Sequence, residues 1–329
     1  MQILQTSISI GNINVRNRIF LAPMSGVTDL PFRKRAWENG AGLVFSEMVA
    51  SQELCKSHEE SLLRLKGEGL GIHAVQLAGR DCHWMAEAAK LAQSAGADII
   101  DINMGCPAKK VIGGYAGAAL MRDEPLALAI IDAVVKAVSI PVTLKMRLGW
   151  DDKNINAPRI ALEAQKRGIQ MITVHGRTRM QFYNGRANWD EIKKVRDIIT
   201  IPLVANGDIA TPKDAQEVRS QTGADCIMIG RASYGQPWFC GVLAGWEQPP
   251  NIQSYIIEHY QDMLDHYGHK TGIRHARKHI DWYLEKHVKN YYTTEERRYI
   301  LTQTDIEKFF VKLNEIFYRA KNNIIIKKQ

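Results

Sequence analysis

The chain of 329 residues lacks several features that mark broad classes of protein. It has only five cysteines (Cys55, Cys82, Cys106, Cys226 and Cys240), an odd and widely spaced set without a CxxC pair. That argues against a disulfide framework and against a structural zinc site, so no bound metal is expected. No run of about 18 apolar residues occurs, which leaves no candidate for a membrane-spanning helix. The first 20 residues lack the basic start, apolar centre and small-residue cleavage site of a secretory signal. A soluble protein of the reducing cytoplasm is the expectation. No GxGxxG turn is present for a dinucleotide. The H-x-E and PCxxC pattern of a zinc base deaminase is also missing.

What remains is an ordinary globular composition with a basic excess. Lys and Arg total 43 against 35 Asp and Glu, a formal charge of +8. Such an excess fits a polyanionic partner such as a nucleic acid, although charge alone does not require one. The length allows two ordinary domains, or one α/β barrel of about 250 residues plus roughly 80 more.

A repeated local grammar selects the barrel. Helical stretches end in Gly and pass into apolar, β-branched runs at ENGAGLVFSEM (38–48), SAGADIIDINMG (94–105), KRGIQMITVHG (166–176) and QTGADCIMIG (221–230). Gly40, Gly96, Gly168 and Gly223 stand where a helix C-cap takes the left-handed conformation. Two runs follow a proline, SIPVTLKMR (139–147) and TIPLVANGD (200–208), and RIFLAPM (18–24) and IHAVQLAG (72–79) complete a set of eight. The runs are short and apolar without alternation, as in parallel strands buried on both faces. With amphipathic stretches between them, they predict a (β/α)8 TIM barrel over residues 1–246.

Beyond a linker near 246–254 the grammar stops. Helical periods appear at 255–268, 272–288 and 304–320, so residues 247–329 are expected to form a small all-α bundle. The segment NNIIIKKQ (322–329) is expected to fray. Positions 250–329 carry 14 basic and 10 acidic residues, half of the net charge in a quarter of the length. Along the helix at 272–288, Arg274, Arg277 and Lys278 share one face by i, i+3, i+4 spacing. Asp281 is expected to neutralise Arg277 and Lys278 in part, and a plain solvated face is the alternative.

In a TIM barrel, chemistry gathers where the strands end. Those ends deliver Ala22-Pro23-Met24, Gln76, Asn103 to Cys106, Lys145, His175-Gly176-Arg177, Asn206-Gly207-Asp208 and Gly230-Arg231 to one rim. The last two groups combine exposed amides with a guanidinium, a phosphate-type site. Lys145 and His175 point inward, where a buried ammonium needs an anionic or polar ligand. Gln76 can donate and accept along the edge of a flat heterocycle. Flavin mononucleotide (FMN) satisfies all three demands. Its phosphate would lie on Asn206, Gly207, Asp208, Gly230 and Arg231. Its ring edge would meet Gln76, and Lys145 would offset charge on the reduced ring. Cys106 lies in a loop rich in small residues (105–120) that suits a lid. Thiols are mostly protonated near neutral pH and can act as acids. The other four cysteines read as small buried hydrophobes.

The strings APMSGVTDLPFR (22–33), DINMGCPAKKV (101–111), LKMRLGW (144–150), HGRTR (175–179), NGDI (206–209) and IGRA (229–232) resemble the tRNA-dihydrouridine synthases. With ARKHIDWYL (276–284), the likeness is to the bacterial DusB-type branch. The resemblance spans essentially the whole chain. It implies an FMN barrel followed by a helical tRNA-recognition domain, and reduction of tRNA uridine to 5,6-dihydrouridine with NADPH. Carried over, Ala22, Pro23 and Met24 would line the flavin ring, with Gln76 and Lys145 bonded to it and His175 beside it. Asn103 would touch the uracil and Cys106 would be the acid. Hydride from flavin N5 would add at C6, and Cys106 would protonate C5. Arg274, Arg277 and Lys278, with the rim residues Lys109, Lys110, Arg177 and Arg179, are the candidate tRNA contacts. Two other readings stay open on the residues alone. One is a flavin barrel acting on a small pyrimidine, similar to the dihydroorotate dehydrogenases. The other is a non-enzymatic RNA-binding protein.

Overall fold

The computed structural model describes residues 2–325; part of the segment expected to fray, residues 326–329, lies outside them. A β-hairpin opens the chain, β1 (Ile8–Ile10) against β2 (Ile13–Val15). The sheet strands follow: β3 (Ile19–Leu21), β4 (Leu43–Val44), β5 (Val49–Ala50), β6 (Ala74–Ala78), β7 (Ile99–Met104), β8 (Val142–Arg147), β9 (Met171–His175), β10 (Leu203–Asn206) and β11 (Cys226–Ile229). They lie parallel in the order β4-β3-β11-β10-β9-β8-β7-β6-β5. β4 pairs with β3, and Phe45 bridges to Ala74 on β6, so β4 and β5 are two pieces of one interrupted second strand. The nine pieces therefore close as eight barrel staves. The interruption falls in the run LVFSEM, where Ser46 and Glu47 break the apolar sequence.

Helices α1 (Leu30–Glu38), α2 (Ser51–Cys55), α3 (Glu59–Leu65), α4 (Cys82–Ser94), α5 (Lys109–Gly113), α6 (Glu124–Ala137), α7 (Ala157–Lys166), α8 (Trp189–Arg196), α9 (Pro212–Thr222) and α10 (Phe239–Leu243) surround the sheet. Side-chain caps start several of them. Asp29, Asp81, Asp123 and Asn188 each accept a backbone N–H in the first turn. Thr211 and Asp214 form a capping box on α9, and Gly223 ends it at φ +66°. Gly40, Gly96 and Gly168 also take positive φ, as their place before the strands requires.

Alternation along the strands divides the barrel interior into two levels. The lower level is apolar and includes Phe20, Leu43, Ile99, Met171, Val204 and Cys226. Ile10 and Val15 of the hairpin, not foreseen from the sequence, pack into this cluster and plug the lower mouth. The upper level holds Gln76, Asp101, Asn103, Lys145, Arg147 and Asn206, all buried. Polar groups thus collect at the C-terminal ends of the strands, with the plug excluding water below them.

The remainder is helical: α11 (Ile252–Tyr267), α12 (His269–His287), α13 (Thr294–Thr302) and α14 (Ile306–Lys321). Its apolar cluster includes Tyr260, Met263, Ile280, Tyr283, Phe309 and Leu313, together with Trp238 from before the linker. Arg35 of α1 joins Glu258 at 2.8 Å and Asp262 at 2.6 Å, fastening α11 to the barrel. Helix α13 was not expected, and it changes the reading of one charge. Asp281 does not neutralise Arg277 or Lys278; both of its oxygens accept from Arg297 of α13 at 2.7 Å.

Candidate active site

A cavity of about 640 Å³ opens at the C-terminal ends of the strands. Ala22, Pro23, Met24, Gln76, Asn103, Cys106, Lys145, His175, Asn206, Gly207, Asp208, Gly230 and Arg231 all line it. Residues from seven staves and from positions 22 to 231 therefore meet in one pocket. Arg147, Phe182, Tyr183, Met228 and Tyr234 share its walls. In the sequence these five carry no signal of a role. Their types are common, and only the closed barrel brings them together.

Lys145 brings a buried positive charge to the cavity floor. It is 9% exposed, and among the described residues its ammonium has one side-chain acceptor, Asn206 Oδ1, at a long 3.4 Å. Burial lowers its pKa to about 8, opposed by the nearby Asp101 carboxylate. An ammonium so poorly supplied with acceptors, facing a cavity, is matched to an electron-rich ligand edge. His175 is pushed well below its ordinary pKa, first by burial and then by Arg147, Lys145, Arg177 and Arg231. It is therefore neutral. Arg177 Nη1 lies 3.3 Å from its Nε2, and a guanidinium only donates. That assigns the proton to Nδ1.

Arg177 does not reach a rim surface, which corrects its placement among the RNA contacts. It is 1% exposed. Its guanidinium is held by Asp208 at 2.7 and 2.9 Å, Gly185 O at 2.7 Å and Asn184 O at 3.0 Å. Burying this charge is tolerable only because it is fully partnered. Arg147 is a second internal strut. It donates to Gly105 O at 2.9 Å, Thr178 O at 2.8 Å and Phe182 O at 2.7 Å, tying the Cys106 loop to the loop after β9.

The Asp208 carboxylate is turned onto Arg177 and the Ala187 N–H. Gly207 before it has φ +119°, and a Cβ there would stand 2.8 Å from the Ala187 Cβ and 3.1 Å from His175. Gly207→Ala is accordingly expected to cost about 1–3 kcal/mol and to open the cradle beneath His175. A lowered Tm together with weakened ligand retention checks this; an unchanged Tm refutes the steric account.

The loop carrying Cys106 is more ordered than its glycines suggest. Residues Lys109–Gly113 form α5 and Gly117–Arg122 a 3-10 turn. Of its four glycines, Gly117 alone has positive φ. Asn103 Oδ1 accepts from the Gly105 and Cys106 N–H groups at 3.2 and 3.0 Å, seating the loop on β7. Cys226 and Cys240 are buried, whereas Cys55 and Cys82 are only half-buried.

Outside the cavity, Lys109 and Lys110 are exposed on α5 and Arg179 is half-buried. Arg179 and Arg122 lie over the Trp150 ring at 5.0 and 4.7 Å, and Arg80 over Tyr115 at 5.8 Å. None of Lys109, Lys110, Arg80, Arg122 or Arg179 has an ion-pair partner among the described residues. On the opposite side of the mouth, α12 presents exposed Arg274 and half-buried Arg277 and Lys278. A methyl group on Gly26 would come within 3.4 Å of Lys278 Nζ. Trp282 of α12 stacks on Tyr234, a wall residue of the cavity, at 3.9 Å and 9°. The helical part thus touches the pocket wall directly.

Comparison with known proteins is consistent with this arrangement. Residues 20–318 match the family model described as dihydrouridine synthase. The probable tRNA-dihydrouridine synthase of Rhizobium leguminosarum bv. phaseoli is 59% identical over 303 residues, covering 92% of this chain and 95% of that protein. The tRNA-dihydrouridine synthase B of Pseudomonas aeruginosa is 46% identical over 287 residues, covering 84% and 86%. Among solved structures, 2-naphthoyl-CoA reductase aligns with a TM-score of 0.59 at 14% identity, over 74% of this chain and 52% of that one. Histamine dehydrogenase from Rhizobium sp. 4-9 aligns at 0.54 and 15%, over 84% and 51%. This chain spans about half the length of both, and at such low identity they bear on the fold alone. The full-length likeness to the first two proteins and the family match over almost the entire chain carry more: the chain belongs to the dihydrouridine synthase family.

Proposed function

We propose that this protein reduces uridine in tRNA to 5,6-dihydrouridine, using FMN as its bound cofactor and NADPH as the source of electrons. The observation that carries the reading is the meeting of Cys106 with the Lys145, His175 and Asn206 floor in one cavity of about 640 Å³. The family membership argues for tRNA over a small free pyrimidine, and the intact pocket argues against a purely binding role.

The residues fit FMN on two counts. The under-partnered Lys145 ammonium suits the electron-rich edge of the ring, and Gly230 lines the cavity with open space beside it, a Cβ there meeting nothing nearer than Met24 Sδ at 3.8 Å, so its backbone is bare to a phosphate. In this reading Asn206, Gly207, Asp208, Gly230 and Arg231 hold the phosphate end, with Asp208 serving through its backbone. Ala22, Pro23 and Met24 line the ring, and Gln76 meets its edge. Held by these residues, FMN would supply the hydride that the reduction needs.

The chain's own groups do the rest. Hydride addition at C6 leaves enolate charge over C5 and O4 of the uracil. Asn103 has an N–H to offer the base, and Cys106 places its proton at C5. Neutral His175 keeps a second ionisable proton out of the reaction. The target nucleotide must leave its stack to enter, at a few kcal/mol. Phosphate contacts by Arg274, Arg277 and Lys278 and by Lys109, Lys110 and Arg179 offset that cost from opposite sides of the mouth. We assign residues 1–246 to catalysis and 247–329 to tRNA recognition, in the cytoplasm.

The protein should purify yellow, and heat denaturation should release FMN identifiable by mass. A colourless protein that takes up no FMN sinks the proposal.

A further inference from the structure

Asp101 carries no role in the proposed function, yet it lies at the root of the pocket's hydrogen bonding. Parallel register sets Gln76, Asp101 and Thr143 side by side on β6, β7 and β8. Asp101 is 1% exposed. Thr143 Oγ1 donates to one of its oxygens and Gln76 Nε2 to the other, both at 2.6 Å. An ionised carboxylate only accepts, so Gln76 must turn its NH2 toward Asp101. Its Oε1 then faces Asn103 and accepts from Nδ2 at 2.7 Å. That leaves Asn103 Oδ1 to accept from the Gly105 and Cys106 N–H groups.

We infer that Asp101 is a positioning residue: it fixes the orientation of both pocket amides and, through them, the seat of Cys106. The inference rests on the proposed function for its catalytic meaning, though not for its geometry. Counting bonds gives the consequence. Both lone pairs of Asn103 Oδ1 and one of its N–H groups are already engaged. One N–H remains for a ligand, so Asn103 can only donate to the pocket. It is matched to a ring carbonyl and mismatched to an amino group in the same place. That polarity is inherited from the carboxylate and exists before any ligand arrives.

A neutral amide at position 101 would remove the direction from this relay. Asn could present its NH2 to Gln76, which would then flip, and Asn103 would flip after it. The Asn103 NH2 would meet the N–H groups of Gly105 and Cys106, donor against donor, and the loop would lose its anchor. Burial of a carboxylate is costly, and it raises the Asp101 pKa to about 6. The hydrogen bonds from Thr143 and Gln76, and then Lys145 on the neighbouring strand, oppose that shift and keep an acceptor-only group where the relay needs one.

The test uses the full-length protein with Asp101→Asn. Iodoacetamide alkylation is followed by peptide mass spectrometry, which separates Cys106 from the half-buried Cys55 and Cys82. In the flavin-stripped chain, Cys106 should alkylate at least about threefold faster while Cys55 and Cys82 keep their rates, as expected for the loss of one or two hydrogen bonds at one loop. In the loaded enzyme, kcat for dihydrouridine should fall about tenfold with the tRNA KM within about twofold. An unchanged Cys106 rate overturns the inference whatever activity does, and so does a rise shared by all three cysteines, which marks general loosening. If Asp101→Asn does not fold, Gln76→Met cuts the same relay one link along and must accelerate Cys106 alone in the stripped chain; an unchanged rate there overturns it equally. A wild-type protein that forms no dihydrouridine would refute the proposed function, and the alkylation comparison would still decide the relay.

Discussion

Cys106→Ala should keep the bound flavin and the rate of NADPH oxidation while losing dihydrouridine formation by about 10²–10⁴-fold, the usual contribution of a positioned general acid. The separation of the two readouts follows from geometry. The Cys106 backbone is held by Asn103, and the Gly105 carbonyl by Arg147, so removing the thiol leaves the loop's anchors in place. The thiol is half-exposed in the cavity wall, and its deletion opens no buried void. Electron transfer from NADPH involves no proton at C5 of uracil, so it should proceed unchanged. Cys106→Ser sharpens the test. A hydroxyl has nearly the size of a thiol but is a far weaker acid, and it should behave close to the alanine variant. Mass spectrometry of tRNA nucleosides measures the product, and absorbance of NADPH measures the other half-reaction. Product formation within threefold of wild type in both variants would refute the acid role.

The parts of this site that could be read from the sequence are those where one residue type at a strand end has few structural uses. Lys145 in an apolar strand, the Asn-Gly-Asp turn at 206–208 and Cys106 between Gly and Pro are of that kind, and all line the cavity. The eight strand runs were legible because strands buried on both faces show unbroken apolar sequence. Harder to see were residues whose meaning depends on partners far along the chain. Arg177 reads as a rim cation because it follows His175 at a strand end; Asp208, 31 residues later, turns it into an internal strut. Asp281 reads as the partner of Arg277 by helical spacing, yet the bidentate geometry offered by Arg297 from α13 wins. Helix α13 itself is short and polar, with Ile300 its only buried residue, so it leaves a weak periodic signal. The second stave looks like one strand in the sequence, but Ser46 and Glu47 interrupt it: Ser46 Oγ accepts from Gln76 N, and Glu47 accepts the Gly26 N–H.

Replacing Arg274, Arg277 and Lys278 together by alanine should weaken tRNA binding by about 10²-fold at 0.1 M salt and leave NADPH oxidation untouched. The size follows from counterion release. Each phosphate neutralised contributes a slope of about 0.7–0.9 in log K against log[salt], so three contacts make binding at 0.1 M about two orders of magnitude tighter. The same arithmetic demands that the variant's salt dependence become shallower by about two to three. That second readout separates lost phosphate contacts from a disturbed helix, which would weaken binding without changing the slope. The capture of Asp281 by Arg297 matters here, because it removes the one acid that helical spacing set against this face. Arg274 is exposed without an ion pair among the described residues, and Lys278 extends over Gly26 beside the cavity loop. Among the described residues none of the three cations has an ion pair, and the face is adjacent to the pocket. The helix core formed by Ala276, Ile280, Tyr283 and Leu284 is untouched by the three substitutions, so the fold should persist. Filter binding or fluorescence anisotropy between 50 and 200 mM salt measures both quantities. If affinity and slope match the wild type, this face is merely solvated, and the RNA contact belongs to Lys109, Lys110 and Arg179 across the mouth.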